Sequence, residues 1–268
     1  MLPFAFAVGA MKMPKFALEL YEMDILPEDN MMTLINQAGN FDETPPVKVE
    51  KYDKSIRLFC GAYEEMFKLS HCCLRTRLPL QAKILIVGAG TGMEISEFAP
   101  LNPGWSFCGV DPSADMLALA KKKIFEKNLT GEIELRKGYV DDLEEEAVFD
   151  GATCILVMHF LKDDGAKLAL LESICKRLKH GASFVLMDGF GEPGSMEFEE
   201  IKSAWKHYPI IHGVSNETVE NAFNERIMKM IQFVPESRIL ELLRTAGFTR
   251  VFKYYSGFLY GGWMGYKA

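Results

Sequence analysis

The sequence predicts a doubly wound α/β fold, a mostly parallel seven-stranded sheet with an antiparallel C-terminal hairpin strand and helical lid segments. Three observations carry that expectation. Short apolar runs alternate with amphipathic helical patterns from Lys83 to Asp188. A glycine loop, Gly88-Ala89-Gly90-Thr91-Gly92, separates the first run from the first helix of this series. Beyond a helical stretch, Val251 to Lys267 reads as two further strands separated near Gly257.

Ile84 to Val87 is a continuous apolar run of strand length, as a central parallel strand covered on both faces requires. A helix is expected from Gly92 to about Phe98, and Ser106 to Val110 forms the second strand. Ser113 caps the next helix, which presents Met116, Leu117, Ala120 and Ile124 on one face. Glu132 to Leu135 alternates as a third strand, Ala152 to Val157 makes the fourth and Ser183 to Met187 the fifth. The helix between the last two is expected to be capped near Asp163, to carry Leu168, Leu171, Ile174, Cys175 and Leu178, and to stop at Gly181. Gly189, Gly191, Pro193 and Gly194 then break the chain. A helical stretch from about Ser195 to Phe233, with breaks at Pro209 and Gly213, reads as an insertion covering a site. From Pro235 a helix with Ile239, Leu240 and Leu243 ends at Gly247. The final strands, the second interrupted by Gly261 and Gly262, close one edge as an antiparallel hairpin. Tyr52 to Leu74 is helical with Gly61 in its middle, and forms a lid on the other side of the cleft. The domain reading is an N-terminal extension over 1–50 and a single domain over 51–268, with a helical lid at about 51–78 and a helical insertion at about 190–234.

The chain has 268 residues, 49% of them hydrophobic and 25% charged, which excludes disordered, collagenous and disulfide-scaffold classes. Thirty basic against 37 acidic side chains leave a net charge of −7, a poor field for a nucleic-acid backbone, and no nucleic-acid partner is expected. The cysteines at 60, 72, 73, 108, 154 and 175 have no metal-site or disulfide spacing, and read as reduced core residues of a cytoplasmic protein with no metal. The apolar stretch Leu2 to Met11 is too short to span a bilayer and is interrupted by Pro3 and Gly9, so no membrane association is expected. Met31 and Met32 could also start a functional chain.

A glycine loop that follows a strand and opens a helix cradles ligands, because glycine permits tight turns and close approach to the main chain. The spacing G-x-G-x-G departs from the dinucleotide pattern G-x-G-x-x-G, since Met93 stands where the third glycine is needed. Glu94, in the first helical turn, would repel a pyrophosphate there and suits a cationic, phosphate-free ligand. Asp111, 19 residues after Gly92, ends the second strand where a carboxylate accepts hydrogen bonds from ribose hydroxyls. Its alternative role is to cap the helix that follows.

On Ile84 to Gly92, on Gly109-Val110-Asp111-Pro112-Ser113 with Met116-Leu117, and on Phe149-Asp150 leading to Val157-Met158-His159-Phe160-Leu161, the chain resembles the class I S-adenosylmethionine-dependent methyltransferases. The resemblance runs from about Tyr52 to the C-terminus. It implies S-adenosyl-L-methionine as cofactor, S-adenosyl-L-homocysteine as product, and a small-molecule acceptor. It also places Gly88, Ala89, Gly90 and Gly92 beside the methionine moiety, Asp111 on the ribose, and Pro112 and Met116 on the adenine face. Gly138 to Leu143 matches the loop after the third strand, where Tyr139 and Val140, or Asp141 and Asp142, would touch the adenine edge.

Within this superfamily the lead-in Tyr52 to Tyr63, the helical insertion and the glycine-rich last strand are most similar to the group that includes carboxy-S-adenosylmethionine synthase, a tRNA-modification enzyme. By that likeness Tyr63 reaches the methionine carboxylate and Ile155 stands where the synthase has an asparagine. The stretch Pro209 to Ser215 lacks the arginine with which the synthase holds its extra carboxylate, so an ordinary methyl donor is favoured. A non-catalytic S-adenosylmethionine-binding protein is the third alternative.

Methyl transfer needs alignment and exclusion of water more than it needs a catalytic side chain. Where a general base is used, His159 after the fourth strand is the best-placed histidine. His207 and His212, with Trp205 and Tyr208, serve as acceptor-pocket walls or plain helix packing, and the aromatics of the insertion fit a homodimer interface equally well. His71 and His180 read as surface residues.

Overall fold

The structure, a computed structural model, describes residues 49–268. The expected extension over 1–50 lies outside them except for its last two residues, and the Leu2 to Met11 stretch and the alternative starts lie wholly outside. The chain opens with helices α1 (Val49–Phe59) and α2 (Tyr63–Arg75). They are broken at Gly61 and Ala62, the latter left-handed at φ 60°, so the expected single segment is two helices. Then come β1 (Ala82–Val87), α3 (Met93–Phe98), β2 (Trp105–Asp111), α4 (Ala114–Glu126), β3 (Ile133–Lys137), β4 (Phe149–Ile155), α5 (Ala166–Arg177) and β5 (Leu178–Gly189). The insertion is α6 (Met196–Ile211) and α7 (Asn216–Ala222), the latter running on through a π turn, Phe223–Ile227, and a last turn, Met228–Met230. Helix α8 (Glu236–Thr245) and strands β6 (Phe248–Gly257) and β7 (Tyr260–Lys267) complete the fold.

The seven strands form one sheet in the order β3-β2-β1-β4-β5-β7-β6. The pairs among β1 to β5 are parallel, and β7 runs antiparallel to both β5 and β6. The last strand therefore lies inside the sheet and β6 is the edge. Period-two alternation splits the core between the two faces. Ile84, Ile86, Val185 and Met187 pack on the face covered by α1, α2, α6 and α7, whereas Leu85, Val87, Phe184 and Leu186 pack on the face covered by α5 and α8. Apolar residues on successive positions of β1 and β5 are thus what a two-sided sheet demands.

Several boundaries differ from expectation for local reasons. Helix α5 ends at Arg177 rather than Gly181, because Leu178 already pairs with Phe149 of β4. Its N-cap is Gly165, and Asp163 is instead held by Arg238 of α8 at 2.9 and 3.0 Å. Pro209 does not break α6. It lies in the last turn, where a proline forfeits little of the backbone ladder. Strand β7 is not interrupted at Gly261 and Gly262. Added Cβ atoms there would meet the ring of Trp263, two residues on in the same strand, at 2.5 Å and the ring of Tyr254 on β6 at 2.8 Å, so these glycines make room for aromatic side chains. No helix among the described residues is long and apolar enough to cross a membrane.

The sheet order reverses between β1 and β4, where the crossovers leave on opposite faces. Open α/β sheets bind ligands in the crevice at that point, outside the carboxyl ends of the strands.

Candidate functional site

A cavity of about 540 Å³ opens at the reversal point. Its floor is the glycine loop, tied down by Gly88 N–H and Ala89 N–H donating to Val110 O of β2 at 2.9 and 3.0 Å. The three loop glycines have different reasons to be glycine. Gly88 has φ 74°, and an added Cβ would lie 2.3 Å from Val157 Cγ2. Gly92, the N-cap of α3 at φ 77°, would put its Cβ 3.1 Å from Ala120 Cβ. Both fit protein against protein. An added Cβ at Gly90 would come no closer than 3.9 Å to any atom of the protein, so that side of the loop is open to a ligand.

Asp111 ends β2 with both carboxylate oxygens already oriented. Oδ2 accepts from Gly90 N–H at 2.8 Å and Oδ1 from Ser113 N–H at 2.9 Å. The helix cap is Ser113, whose Oγ accepts from Met116 N–H at 3.3 Å, so Asp111 is not the cap. An ionised carboxylate oxygen accepts more than one hydrogen bond, which leaves capacity for ligand hydroxyls.

Most of the expected site residues share this cavity. Gly88, Ala89, Gly90, Asp111, Pro112 and Met116 line it, as do Tyr139, Val140 and Asp141 from the loop after β3, Ile155 from β4 and Tyr63 from α2. Gly92 and Asp142 are not on the wall. Gly92 serves helix packing, and Asp142 Oδ2 accepts from Tyr139 N–H at 2.7 Å, shaping the loop from behind.

His159 is also held away from the wall. Strand β4 stops at Ile155 because Leu156 turns left-handed at φ 58°, its N–H donating to Met187 O at 2.8 Å. The single turn Met158–Phe160 then carries His159 inward. There its backbone N–H donates to Asp188 Oδ1 at 2.9 Å and its ring Nδ1 lies 2.7 Å from the same oxygen. Phe160 stands on the wall in its place. His207 and His212 bond their ring Nδ1 atoms to main-chain oxygens one helical turn back, those of Ser203 and Tyr208, as packing residues do. His180 is exposed, but His71 is half-buried, tilted against the Phe98 ring at 5.3 Å, edge-on to Trp105 at 5.7 Å and 2.7 Å from Asn102 Nδ2. Cys72 is exposed and Cys73 half-buried, whereas the other four cysteines are buried; all six are free.

Other wall residues lie outside the set of expected cofactor contacts; of them the sequence pointed only to Glu94, as suited to a cationic ligand. Tyr52 comes from α1, Phe67 from α2, Met93 and Glu94 from α3, and Ala166, Ala169 and Leu170 from α5. The signal for the α5 residues is their i, i+3, i+4 spacing, which sets them on a face apart from the core residues Leu171, Ile174 and Cys175. Glu94 is 3% exposed, and burial pushes its carboxyl up to about 8. Its partner is Thr153, whose Oγ1 donates to Oε1 at 3.4 Å. Among the described residues, no lysine, arginine or histidine lines the cavity and no group able to hold a metal is present.

Residues 85–184, from β1 into β5, match a family model described as a methyltransferase domain. No curated protein matches the chain. Solved structures share the fold at low identity. A possible exported protein from Bordetella parapertussis is 17% identical with a TM-score of 0.61, over 76% of this chain and 67% of that one. A putative O-methyltransferase from Nostoc punctiforme is 14% identical at 0.59, over 94% and 71%. The magnesium protoporphyrin IX methyltransferase from Synechocystis, with bound SAH, is 15% identical at 0.57, over 90% and 94%. The fold is that of the class I S-adenosylmethionine-dependent methyltransferases, and residues 85–184 are similar to a methyltransferase domain.

Proposed function

We propose that the protein transfers a methyl group from S-adenosylmethionine to a small-molecule acceptor taken up under the α1–α2 and α6–α7 helices. One observation carries this reading: the cavity wall offers an oriented Asp111 carboxylate, an open glycine edge at Gly90 and a buried Glu94, with no cationic side chain among the described residues. Such a wall accepts a ribose and a positive charge. It offers nothing to a pyrophosphate, which disfavours nicotinamide dinucleotides, or to the extra carboxylate of a carboxylated donor.

The cofactor, when bound, supplies a methyl carbon activated by a positive sulfur, which forms its bond to the acceptor nucleophile as the carbon–sulfur bond breaks and its electron pair returns to sulfur. The protein's part is alignment and drying. Asp111 and Gly90 hold the ribose side. Tyr139, Val140 and Asp141 border the base, and Tyr52, Tyr63 and Phe67 close the opposite end. In this reading His159 positions: with Asp188 it sets the turn that places Val157 and Phe160 on the wall. An acceptor that must lose a proton gives it to solvent or to its own neighbouring groups.

Titration calorimetry with S-adenosylmethionine, and NAD as control, tests the assignment. Micromolar binding of the first alone is expected, followed by turnover in an acceptor screen read as S-adenosylhomocysteine formation. Binding of NAD, or of neither compound, overturns it.

A further inference from the structure

Glu94 sits in an environment that ordinary burial does not account for. It is in the first turn of α3, almost fully buried and on the cavity wall. The titratable groups that face it are all acidic or neutral: Asp111 from β2, Tyr52 from α1, Tyr63 from α2 and Cys154 from β4. Its hydrogen bond from Thr153 is long, and it makes no ion pair among the described residues. The cations beside the neighbouring Met93 are already engaged elsewhere. Lys123 is paired with Asp53 at 2.6 Å, and Arg57 is paired with Glu64. A buried carboxyl without a counter-charge is costly to keep and stands ready for one brought by a ligand.

Contacts order the cavity lining. Gly138 N–H, from the loop after β3, donates to Asp111 O at 3.1 Å; the Asp111 carboxylate accepts from Gly90 N–H; and Glu94, bonded by Thr153 of β4, interacts with Tyr52 of α1 and Tyr63 of α2. With a ribose at Asp111 and a base toward Tyr139, the part of an adenosyl ligand that reaches Glu94 is its amino-acid end. We propose that Glu94 is the counter-charge for the ligand's α-ammonium, and the residue through which the site rejects adenosyl compounds that lack an amino group. The proposal rests on the cofactor assignment made above. It adds a proton to the binding reaction. Near neutral pH the free site holds Glu94 as the neutral acid, because burial outweighs every group around it. An arriving ammonium favours the carboxylate, and the Glu94 proton leaves to solvent as the ion pair forms.

The test uses the full-length protein, the Glu94→Gln variant and three ligands at pH 6.5. S-adenosylmethionine and S-adenosylhomocysteine both carry the ammonium, and 5′-methylthioadenosine carries adenosine and sulfur without it. Glu94→Gln is expected to weaken the first two by about 10- to 100-fold, as loss of a charge-assisted bond does, and to leave methylthioadenosine unchanged. Wild-type titrations in two buffers of different ionisation heat should show close to one proton released per S-adenosylhomocysteine bound, and none with methylthioadenosine. The proton count needs no variant, so it stands even if Glu94→Gln does not fold. Equal loss for all three ligands, loss for S-adenosylmethionine alone, or no proton release overturns the Glu94 assignment while leaving the cofactor in place. Failure of wild type to bind any of the three overturns the cofactor reading itself.

Discussion

The cavity half of the molecule and its helical cover are built on opposite rules. Around β1, β2 and β4 the backbone does the work. Left-handed glycines, an aspartate bonded to two main-chain N–H groups and a left-handed Leu156 shape the surface. In the cover the side chains do it. Trp205 is fully buried, edge-on to Phe223 at 4.8 Å and to Tyr260 at 5.2 Å, and its Nε1–H donates to Phe59 O at 2.5 Å, joining α6 to α1. A ligand common to many proteins can be met by backbone geometry, whereas a cover that suits one acceptor has to be specified residue by residue.

The comparison breaks most visibly at Trp205. Trp205→Ala removes a large buried ring together with its hydrogen bond, and about 3–5 kcal/mol of stability should go with it. Chemical denaturation reads this as a lower midpoint. A loss under 1 kcal/mol would mean that the cover is not packed on this ring.

Next in size is the acid in the cavity. Glu94 has a folded-state pKa of about 8 against an unfolded value near that of a free glutamate, so the folded state binds its proton more tightly. The stability this confers is full below about pH 4 and is lost as pH rises through 8, by up to about 1.4 kcal/mol per pH unit within that window. Without ligand, the melting temperature of the wild type should therefore fall between pH 5 and 8 more steeply than that of Glu94→Gln. Parallel curves for the two proteins would show that Glu94 ionises freely in the fold.

Asp111 gives a smaller effect, on the ligand. Asp111→Ala should weaken S-adenosylmethionine binding by about 1–3 kcal/mol, through lost ribose bonds and through release of the Gly90 and Ser113 N–H groups. Calorimetry at fixed pH reads it, and unchanged affinity would remove Asp111 from the site.

The same contrast explains what was legible in the sequence. The succession of strands and helices along the chain, the glycine loop, Asp111 and the Gly138 to Asp141 loop could be read because strand period, turn chemistry and spacing are local. Glu94 was visible as a charge unfavourable to phosphate and suited to a cationic ligand, but not as a buried acid, since its burial depends on α1 and α2 closing above it. His159 misled for a related reason. Its place at a strand's end pointed into the cleft, but Leu156 ends the strand early and Asp188, 29 residues on, draws the ring inward. Pro209 and the glycine pair in β7 likewise read as breaks because the aromatics that need them, and the helix end that tolerates them, are fixed by packing.

The smallest effect tests where the two halves meet. Asp53 of α1 accepts from Thr91 Oγ1 of the glycine loop at 2.6 Å and from Lys123 Nζ of α4 at 2.6 Å, which ties the helix bearing Tyr52 to the cavity floor. Lys123 and Asp53 are both largely shielded, yet an ion pair of this kind contributes only about 0.5–1 kcal/mol. Lys123→Met should therefore cost little stability. Its effect should lie in kinetics, because α1 and α2 stand over the Glu94 end of the cavity: association and dissociation of S-adenosylhomocysteine should both accelerate, with Kd changed by less than about fivefold. Salt at about 1 M, where screening acts over roughly 3 Å, should move wild type part of the way toward the variant and leave the variant unmoved. Stopped-flow tryptophan fluorescence measures both rates. Identical rates in the two proteins would mean that ligand enters without α1 moving, and that the Asp53 network holds the glycine loop rather than the cover.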